Sequence, residues 1–242
     1  MKKIIQNAVI LIFLSIFSTS VSSLEPTDSL TPSPSVLNEA VIRIQDKNSH
    51  EKEISTLFKE TLEKKYLDIQ KYQGLSATGT TQINPSDSSK KYSFAWVESK
   101  KRTGFMSYLD NTPVFFWAIP NNKNEYEPSF FEQNQQGTLH RVKTLSWGAE
   151  PSPPLEKLPY WIKGIPFPGE PSILNISKEG TLMSLTQANW TTYYLSWYNA
   201  RILLPRHIII QAPQKKWTWQ WQFDDWAWGN PADLPEPLLK NL

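Results

Sequence analysis

The sequence predicts a mainly β protein, built on one antiparallel sheet of about nine to eleven strands with few helices. Apolar and polar residues alternate over many short runs, which is the period of a strand with one buried and one wet face. Short connections rich in turn residues join these runs, as is typical of antiparallel neighbours. A sheet of this size with an unbroken apolar face tends to curl towards a barrel, whose open side two helices can cover.

Residues 1–23 have the composition of a secretory signal peptide. Two lysines near the start precede the apolar run Ala8–Phe17, and small polar residues follow it. The run holds about ten residues, well short of the roughly 20 apolar residues that a membrane-spanning helix needs. We therefore expect export and cleavage after Ser23, or alternatively after Ser20.

The exported chain is predicted to divide into a linker, one folded domain and a tail. Residues 24–47 open with a segment rich in proline, serine and threonine that has little to bury, so we expect a flexible linker there. The folded domain is expected over residues 48–228. Residues 229–242 form a proline-rich tail.

The domain is predicted to begin with an amphipathic helix at residues 49–69. Asn48 and Glu51 resemble a capping pair at its start. Apolar residues then recur at three- and four-residue spacing, which is typical of a helix with one buried face. The residues of this face are Ile54, Leu57, Phe58, Leu62, Tyr66 and Ile69.

Strands follow the helix as an antiparallel meander, because the apolar period changes to two. One strand near residues 137–145 comes next, and then a short helix at 155–163 that ends at Gly164. The other predicted strands are 72–82, 91–98, 104–109 and 113–119, and then the hairpins 181–188 with 192–199 and 206–212 with 216–224.

The last predicted strand carries an aromatic face. Trp217, Trp219, Trp221 and Phe223 occupy every second position, with polar side chains between them. Such a face packs in a core, lines a ligand cavity, or is exposed as a platform for sugars. The period leaves the first two interpretations open, because rings suit cores and apolar pockets alike.

Composition argues against several classes of function. The formal net charge is +2, and loss of Lys2 and Lys3 brings the exported chain to zero (2 − 2 = 0), so no nucleic-acid partner is expected. There are no cysteines, which excludes disulfides, thiolate metal sites and a thiol nucleophile. The histidines lie on separate predicted elements, so no metal site is expected.

The sequence contains no recognisable catalytic constellation. It has no GxSxG nucleophile motif, and its glycines form no phosphate-binding loop. Asp224 and Asp225 are adjacent, so on a strand they point to opposite faces and do not share a pocket. We therefore predict a protein that is not an enzyme, with no catalytic residues and no cofactor.

Two segments resemble a known family. Leu158–Pro166 (LPYWIKGIP) resembles the L-x-x-W-[IL]-x-G-[IL]-P signature of the LolB outer-membrane lipoprotein receptors of Gram-negative bacteria. Trp219–Trp226 (WQWQFDDW) is similar to the last apolar-alternating strand of that family, with its D-[ND]-W ending. The order of elements agrees over residues 49–226, which is nearly all of the predicted domain.

The resemblance implies the LolA/LolB-like fold, an unclosed antiparallel β-barrel with a helical lid over a hydrophobic cavity. It further implies a periplasmic protein that accepts acylated lipoproteins from a LolA-type carrier and promotes their insertion into the inner leaflet of the outer membrane. LolB is itself a lipoprotein, whereas this chain has no cysteine to acylate. We therefore expect a monomer in the periplasm, or peripheral to the outer membrane, without a lipid anchor.

Three other functions remain open at this point. The first two are a soluble LolA-like carrier and a general periplasmic binder of acyl-chain amphiphiles. The third, from a different class, is a carbohydrate-binding module that uses the tryptophans as stacking platforms.

Alternation and the resemblance together predict the site residues. Trp161 and Ile162 are expected to form the lid. Leu109 or Val114, in a loop between two strands, takes the place of the leucine with which LolB assists membrane insertion. The side chains expected to line the acyl-chain cavity are Phe94, Trp96, Phe105, Phe116, Leu195, Trp197, Trp219, Trp221 and Phe223.

Overall fold

A computed structural model describes most of the predicted domain. The described residues are 37, 39–45, 50–72, 74–83, 91–99, 102–110, 112–120, 129–134, 136–143, 153–199, 202–213 and 218–228. The predicted signal peptide and tail lie outside these residues, and so do Asn48 and Trp217.

The chain forms twelve strands and two helices within the described residues. The first half contains β1 (Ala40–Ile44), α1 (Glu51–Lys71), β2 (Gly74–Ile83), β3 (Tyr92–Ser99), β4 (Arg102–Leu109), β5 (Thr112–Pro120), β6 (Ser129–Gln133) and β7 (Leu139–Val142). The second half contains α2 (Leu158–Trp161), β8 (Ser172–Ile176), β9 (Leu182–Gln187), β10 (Trp190–Trp197), β11 (Pro205–Gln211) and β12 (Thr218–Trp228).

All the strands belong to one 12-stranded sheet in the order β1-β8-β9-β10-β11-β12-β2-β3-β4-β5-β6-β7. Neighbouring strands are antiparallel, except that β1 runs parallel to β8. β1 and β7 lie at opposite ends of this order and do not pair, so the sheet is unclosed. The predicted mainly β, unclosed antiparallel architecture is confirmed.

β12 and β2 join the two halves of the sheet. β12 comes at the end of the domain and pairs with β2, the first strand after α1, with Trp228 opposite Leu75. Gly79 of β2 permits this close pairing, because a Cβ atom there would overlap the backbone carbonyl oxygen of Gln222. The pair therefore places β8–β11 on one side of the sheet and β3–β7 on the other.

α1 packs one apolar face into the core and begins and ends two residues later than predicted. Phe58, Leu62, Tyr66 and Ile69 are buried as predicted, because their spacing of three and four residues places them in one stripe. Leu57 is 64% exposed, so its predicted place on the buried face is wrong. One residue away from Phe58 is about 100° around the helix, which turns Leu57 to the side of the stripe.

Three strands were not predicted from the sequence. β1 lies within residues 24–47, so the predicted linker is wrong over Ala40–Ile44. β6 and β8 were also missed, and each is five residues long. Strands this short carry too little alternation to be recognised, and pairing with distant partners stabilises them.

α2 forms the middle of a longer segment, residues 153–170, which we call the α2 segment. The helix is shorter than the predicted 155–163, with turns on both sides of it. Gly164 follows it with a φ of 71°, which agrees with the predicted glycine end. A Cβ atom at Gly164 would lie 2.5 Å from the Trp197 ring, so this glycine also provides room for β10.

Gly164→Ala should lower the free energy of unfolding by about 2–5 kcal/mol, because it adds both a strained positive φ and a clash with Trp197. Gly169→Ala is the matched control, since Gly169 has a φ of 76° but no atom within 4 Å of a built Cβ. It should cost only the strain, about 1–2 kcal/mol. Urea denaturation measures both values, and equal losses would contradict the role assigned to the ring contact.

Candidate functional site

Alternating residues of four strands form an aromatic cluster on the inner face of the sheet. Its members are each at most 2% exposed. Ring centroids lie 4.9 Å apart for Phe94 and Trp221, 4.9 Å for Phe105 and Trp221, and 4.5 Å for Trp219 and Trp221. The aromatic cluster comprises Phe94, Trp96, Phe105, Trp117, Trp219, Trp221 and Phe223.

Strand register brings the cluster together. Trp96 of β3 is opposite Phe105 of β4, and Phe105 is opposite Trp117 of β5. On the other side, Gly79 lies between Phe223 and Phe94 in neighbouring strands. Because Gly79 has no side chain, these two rings meet across β2 at 5.5 Å. Gly79 and Trp117 are therefore site residues that the sequence did not predict.

Several polar atoms in the cluster and on the strands that carry it are unpaired within the described part of the chain. The indole nitrogens of Trp96, Trp117 and Trp221 and the hydroxyl of Ser107 are buried without a hydrogen-bond partner among the described residues. Leaving such a group unpaired costs about 1–3 kcal/mol. The interior is therefore apolar but contains donors that suit acceptor oxygens such as carbonyls.

Burial of the rings excludes one of the three interpretations of the aromatic face. A sugar platform requires rings that stand open to solvent, and the rings of the cluster are buried. The carbohydrate-binding alternative is therefore wrong for this face. Packing in a core and lining of an acyl cavity both agree with the burial.

β10 turns its side chains differently from the prediction. Leu195 is 54% exposed, so its predicted place in the cavity is wrong, and Tyr194 faces the interior instead. Register shifts between Tyr194 and Trp197 break the simple alternation. Trp197 thereby returns to the inner side and stacks on Tyr194 with centroids 5.1 Å apart. The side chain of Phe116 lies outside the described part of the structure.

The predicted lid residues are buried in the α2 segment. Trp161 is 1% exposed and Ile162 is fully buried. The indole nitrogen of Trp161 donates to Oε1 of Gln187 at 3.0 Å, and the Tyr194 hydroxyl donates to the Trp161 carbonyl at 2.8 Å. Burial raises the pKa of Tyr194 well above its usual value of 10, so the hydroxyl remains a donor at neutral pH.

Gln187 connects the α2 segment to β9. It is buried, and besides Trp161 it accepts a hydrogen bond from the Phe167 backbone N–H at 2.8 Å. Its amide nitrogen donates to the carbonyls of Phe167 and Glu170 at 2.9 and 3.2 Å. One side chain thus makes four hydrogen bonds, and no local sequence pattern distinguishes it from an exposed glutamine.

Two buried lysines fix the flanks of α2. The Lys163 ammonium lies 2.7 and 2.9 Å from the carboxylate oxygens of Glu98 on β3. The Lys157 ammonium lies 2.6 Å from Glu170. Each pair supplies the opposite charge that a buried cation requires. Lys163 ties the α2 segment to β3, whereas Lys157 and Glu170 both belong to the segment and fix its own conformation.

The predicted membrane-insertion residues lie in the connection between β4 and β5. Leu109 and Val114 are both half-buried, and Val114 packs against the core. Asp110 adopts a φ of 49° between them, which makes the turn tight. Their role in membrane insertion stays a prediction.

A separate cleft of about 530 Å³ lies beside α1. Its walls come from α1, Gly164, the β8–β9 turn, and the region around Trp197. Trp197 is the one predicted cavity residue among the described lining residues of this α1 cleft. Its lining residues are Ile54, Leu57, Phe58, Thr61, Leu62, Lys64, Lys65, Asp68, Gly164, 178–182, Trp197, Ile202 and Leu203.

The described residues offer neither a metal site nor a membrane-spanning helix. They contain no group of three or more histidine, cysteine, aspartate or glutamate side chains placed to hold a metal ion. Neither described helix has the length and apolar character needed to cross a bilayer.

Gln187→Leu should lower the free energy of unfolding by about 3 kcal/mol or more, because it removes four hydrogen bonds and leaves buried backbone groups unpaired. Gln222→Leu is the matched control, since Gln222 is exposed on β12. That change should stay within about 0.5 kcal/mol. Thermal or urea unfolding checks the pair, and a small effect at Gln187 would show that the α2 segment is held by apolar packing alone.

Comparison with known proteins finds a family match in the second half of the chain. Residues 132–226 match the sequence model of the family described as outer membrane lipoprotein LolB. The outer-membrane lipoprotein LolB of Cellvibrio japonicus (strain Ueda107) is 33% identical over 82 residues, which are 31% of this chain and 39% of that protein. The match therefore spans about two fifths of the relative's length.

Two solved structures have a low similarity to this chain, with TM-scores below 0.5. A putative outer membrane lipoprotein-sorting protein domain from Vibrio parahaemolyticus is 9% identical with a TM-score of 0.44, and covers 76% of this chain and 94% of its own. A DUF1329 family protein from Desulfovibrio piger is 7% identical with a TM-score of 0.47, and covers 76% and 95%. The family match lies between β6 and β12, and the resemblance to LolB predicted from the sequence is confirmed.

Proposed function

We propose that this protein binds acylated lipoproteins in the periplasm, accepts them from a LolA-type carrier and promotes their insertion into the inner leaflet of the outer membrane. The match of residues 132–226 to the LolB family supports a role in lipoprotein localisation. The observation that carries the proposal is the buried aromatic cluster with its unpaired donors.

Hand-over of a lipoprotein requires a sheltered apolar surface. Each methylene group removed from water is worth about 0.8 kcal/mol, so exposing three long acyl chains costs on the order of tens of kcal/mol. Transfer of the chains through water against a barrier of that height would be too slow to be useful. The protein must therefore enclose the chains, and transfer follows from a difference in affinity between successive hosts, without a nucleotide or a catalytic residue.

The aromatic cluster can supply this surface at an acceptable cost. Its rings contact one another, and each ring pair contributes about 0.5–1.5 kcal/mol beyond its buried area. Separating several such pairs costs less than the burial of even one long acyl chain provides. The rings can therefore exchange contacts with each other for contacts with an acyl chain.

The unpaired donors favour a lipid with carbonyl groups. The indole N–H groups of Trp96, Trp117 and Trp221 lie within the cluster. Ester and amide carbonyls of an acylated N-terminus are acceptors, so binding would pair donors that are otherwise unpaired. A pure hydrocarbon does not offer this gain.

A soluble LolA-like carrier is the second candidate. The half-buried state of Leu109 and Val114 favours it, because these side chains then offer little apolar surface to a membrane. Phospholipid vesicles separate the two functions. A receptor releases its cargo into the vesicles, whereas a carrier keeps its cargo in solution until a receptor is added.

Trp221→Phe should weaken cargo retention by about 3- to 10-fold, because it removes one donor from the cluster while keeping a ring. The assay incubates the protein with a LolA-type carrier loaded with a triacylated lipoprotein and measures the cargo on each protein. Trp228→Phe on the same strand is the control, since Trp228 contacts Tyr72 outside the cluster. Failure of the unchanged protein to take up any cargo would contradict the proposed function, and equal retention by both variants would contradict the role of the donor.

A further inference from the structure

The α1 cleft contains a lysine whose ammonium lies against an aromatic ring. The Lys65 side chain is half-buried, and its ammonium lies 4.7 Å from the centroid of the Trp197 ring. Within the described residues it forms no ion pair, whereas Lys157 and Lys163 each bind a glutamate. Burial, together with the nearby charge of Lys163, lowers the pKa of Lys65 from 10.5 to about 7.

The other charged groups around the cleft do not neutralise Lys65. Asp68 lies 2.7 Å from Lys71, and Glu179 lies 3.8 Å from Lys178. Lys163, the neighbour that faces Lys65 from the α2 segment, is held by Glu98. Lys64 adds a further positive charge to the lining. The carboxylates near the cleft therefore already have cations beside them, and the surplus charge is positive.

The remaining walls are mostly apolar. Apolar lining comes from Ile54, Phe58, Leu182, Trp197 and Ile202. A volume of about 530 Å³ falls within the range of pockets that hold small organic ligands. A desolvated ammonium is stabilised best by an anion, and an apolar wall by a hydrocarbon.

We propose that the α1 cleft binds a single-chain amphiphile with an anionic headgroup, with the alkyl chain along the apolar wall and the headgroup paired with Lys65. This site is separate from the aromatic cluster and does not depend on the proposed lipoprotein function. A fatty carboxylate and a monoalkyl phosphate both carry the required chemistry.

Laurate and dodecanol are the first probes, because they share a chain and differ in the charge of the headgroup. Isothermal titration calorimetry should show that laurate binds more tightly than dodecanol at pH 6.5. Lys65→Met should weaken laurate binding about tenfold or more and leave dodecanol binding unchanged. Lys59→Met, which removes an exposed charge from the same helix, should change neither. Dodecyl phosphate is then compared with laurate. Tighter binding of laurate identifies a fatty carboxylate as the ligand class, and tighter binding of dodecyl phosphate identifies a monoalkyl phosphate.

The pH dependence gives a second readout. The Lys65 ammonium is charged below its pKa of about 7, and laurate is ionised above about pH 5.5. Laurate affinity should therefore fall as the pH rises from 6.5 to 9. Lys65→Arg keeps the charge throughout this range, so it should retain binding and remove the fall.

Either of two results would overturn the proposal. One is laurate affinity in Lys65→Met equal to that of the unchanged protein, and the other is equal affinity of the unchanged protein for laurate and dodecanol. Lipoprotein transfer, measured on the same variants, tests whether the α1 cleft and the aromatic cluster act independently. Intact transfer with lost laurate binding supports a separate site, and parallel loss of both contradicts it.

Discussion

The pairing of β12 with β2 is the interaction on which the rest of the structure depends. It joins the last strand of the domain to the first strand after α1, and it is the contact between the two halves of the sheet. Gly79 makes this pairing possible in two ways. It lets the backbones approach closely, and it lets Phe94 and Phe223 meet across β2. Without the pair, the aromatic cluster would be divided between two smaller sheets.

The α2 segment is held against the sheet by a fixed polar framework. Gln187 and Tyr194 reach this segment from β9 and β10, and Glu98 reaches it from β3. Such buried polar groups add stability only if each finds its partners, and they specify one arrangement more strictly than apolar contacts do. The segment that resembles the family signature is therefore held by hydrogen bonds and an ion pair to three strands.

Residues with a local pattern could be predicted from the sequence, and residues defined by distant partners could not. The apolar stripe of α1 and the rings of β12 follow from their own spacing. Leu195 was misplaced because a bulge in β10 interrupts the alternation, and a bulge has no local signature there. Lys163 looks like a solvated lysine in the sequence, yet its partner Glu98 is 65 residues away. Lys65 is similar, because its burial comes from Trp197 and Gly164 rather than from neighbours in its helix.

The central claim is that the aromatic cluster accepts acyl chains. Brominated acyl chains quench tryptophan fluorescence at short range, so a lipoprotein or phospholipid with such chains tests the claim directly. The account predicts that the emission of the four tryptophans of the aromatic cluster, Trp96, Trp117, Trp219 and Trp221, is quenched on binding. Unchanged emission of these buried rings, with cargo bound, would contradict it.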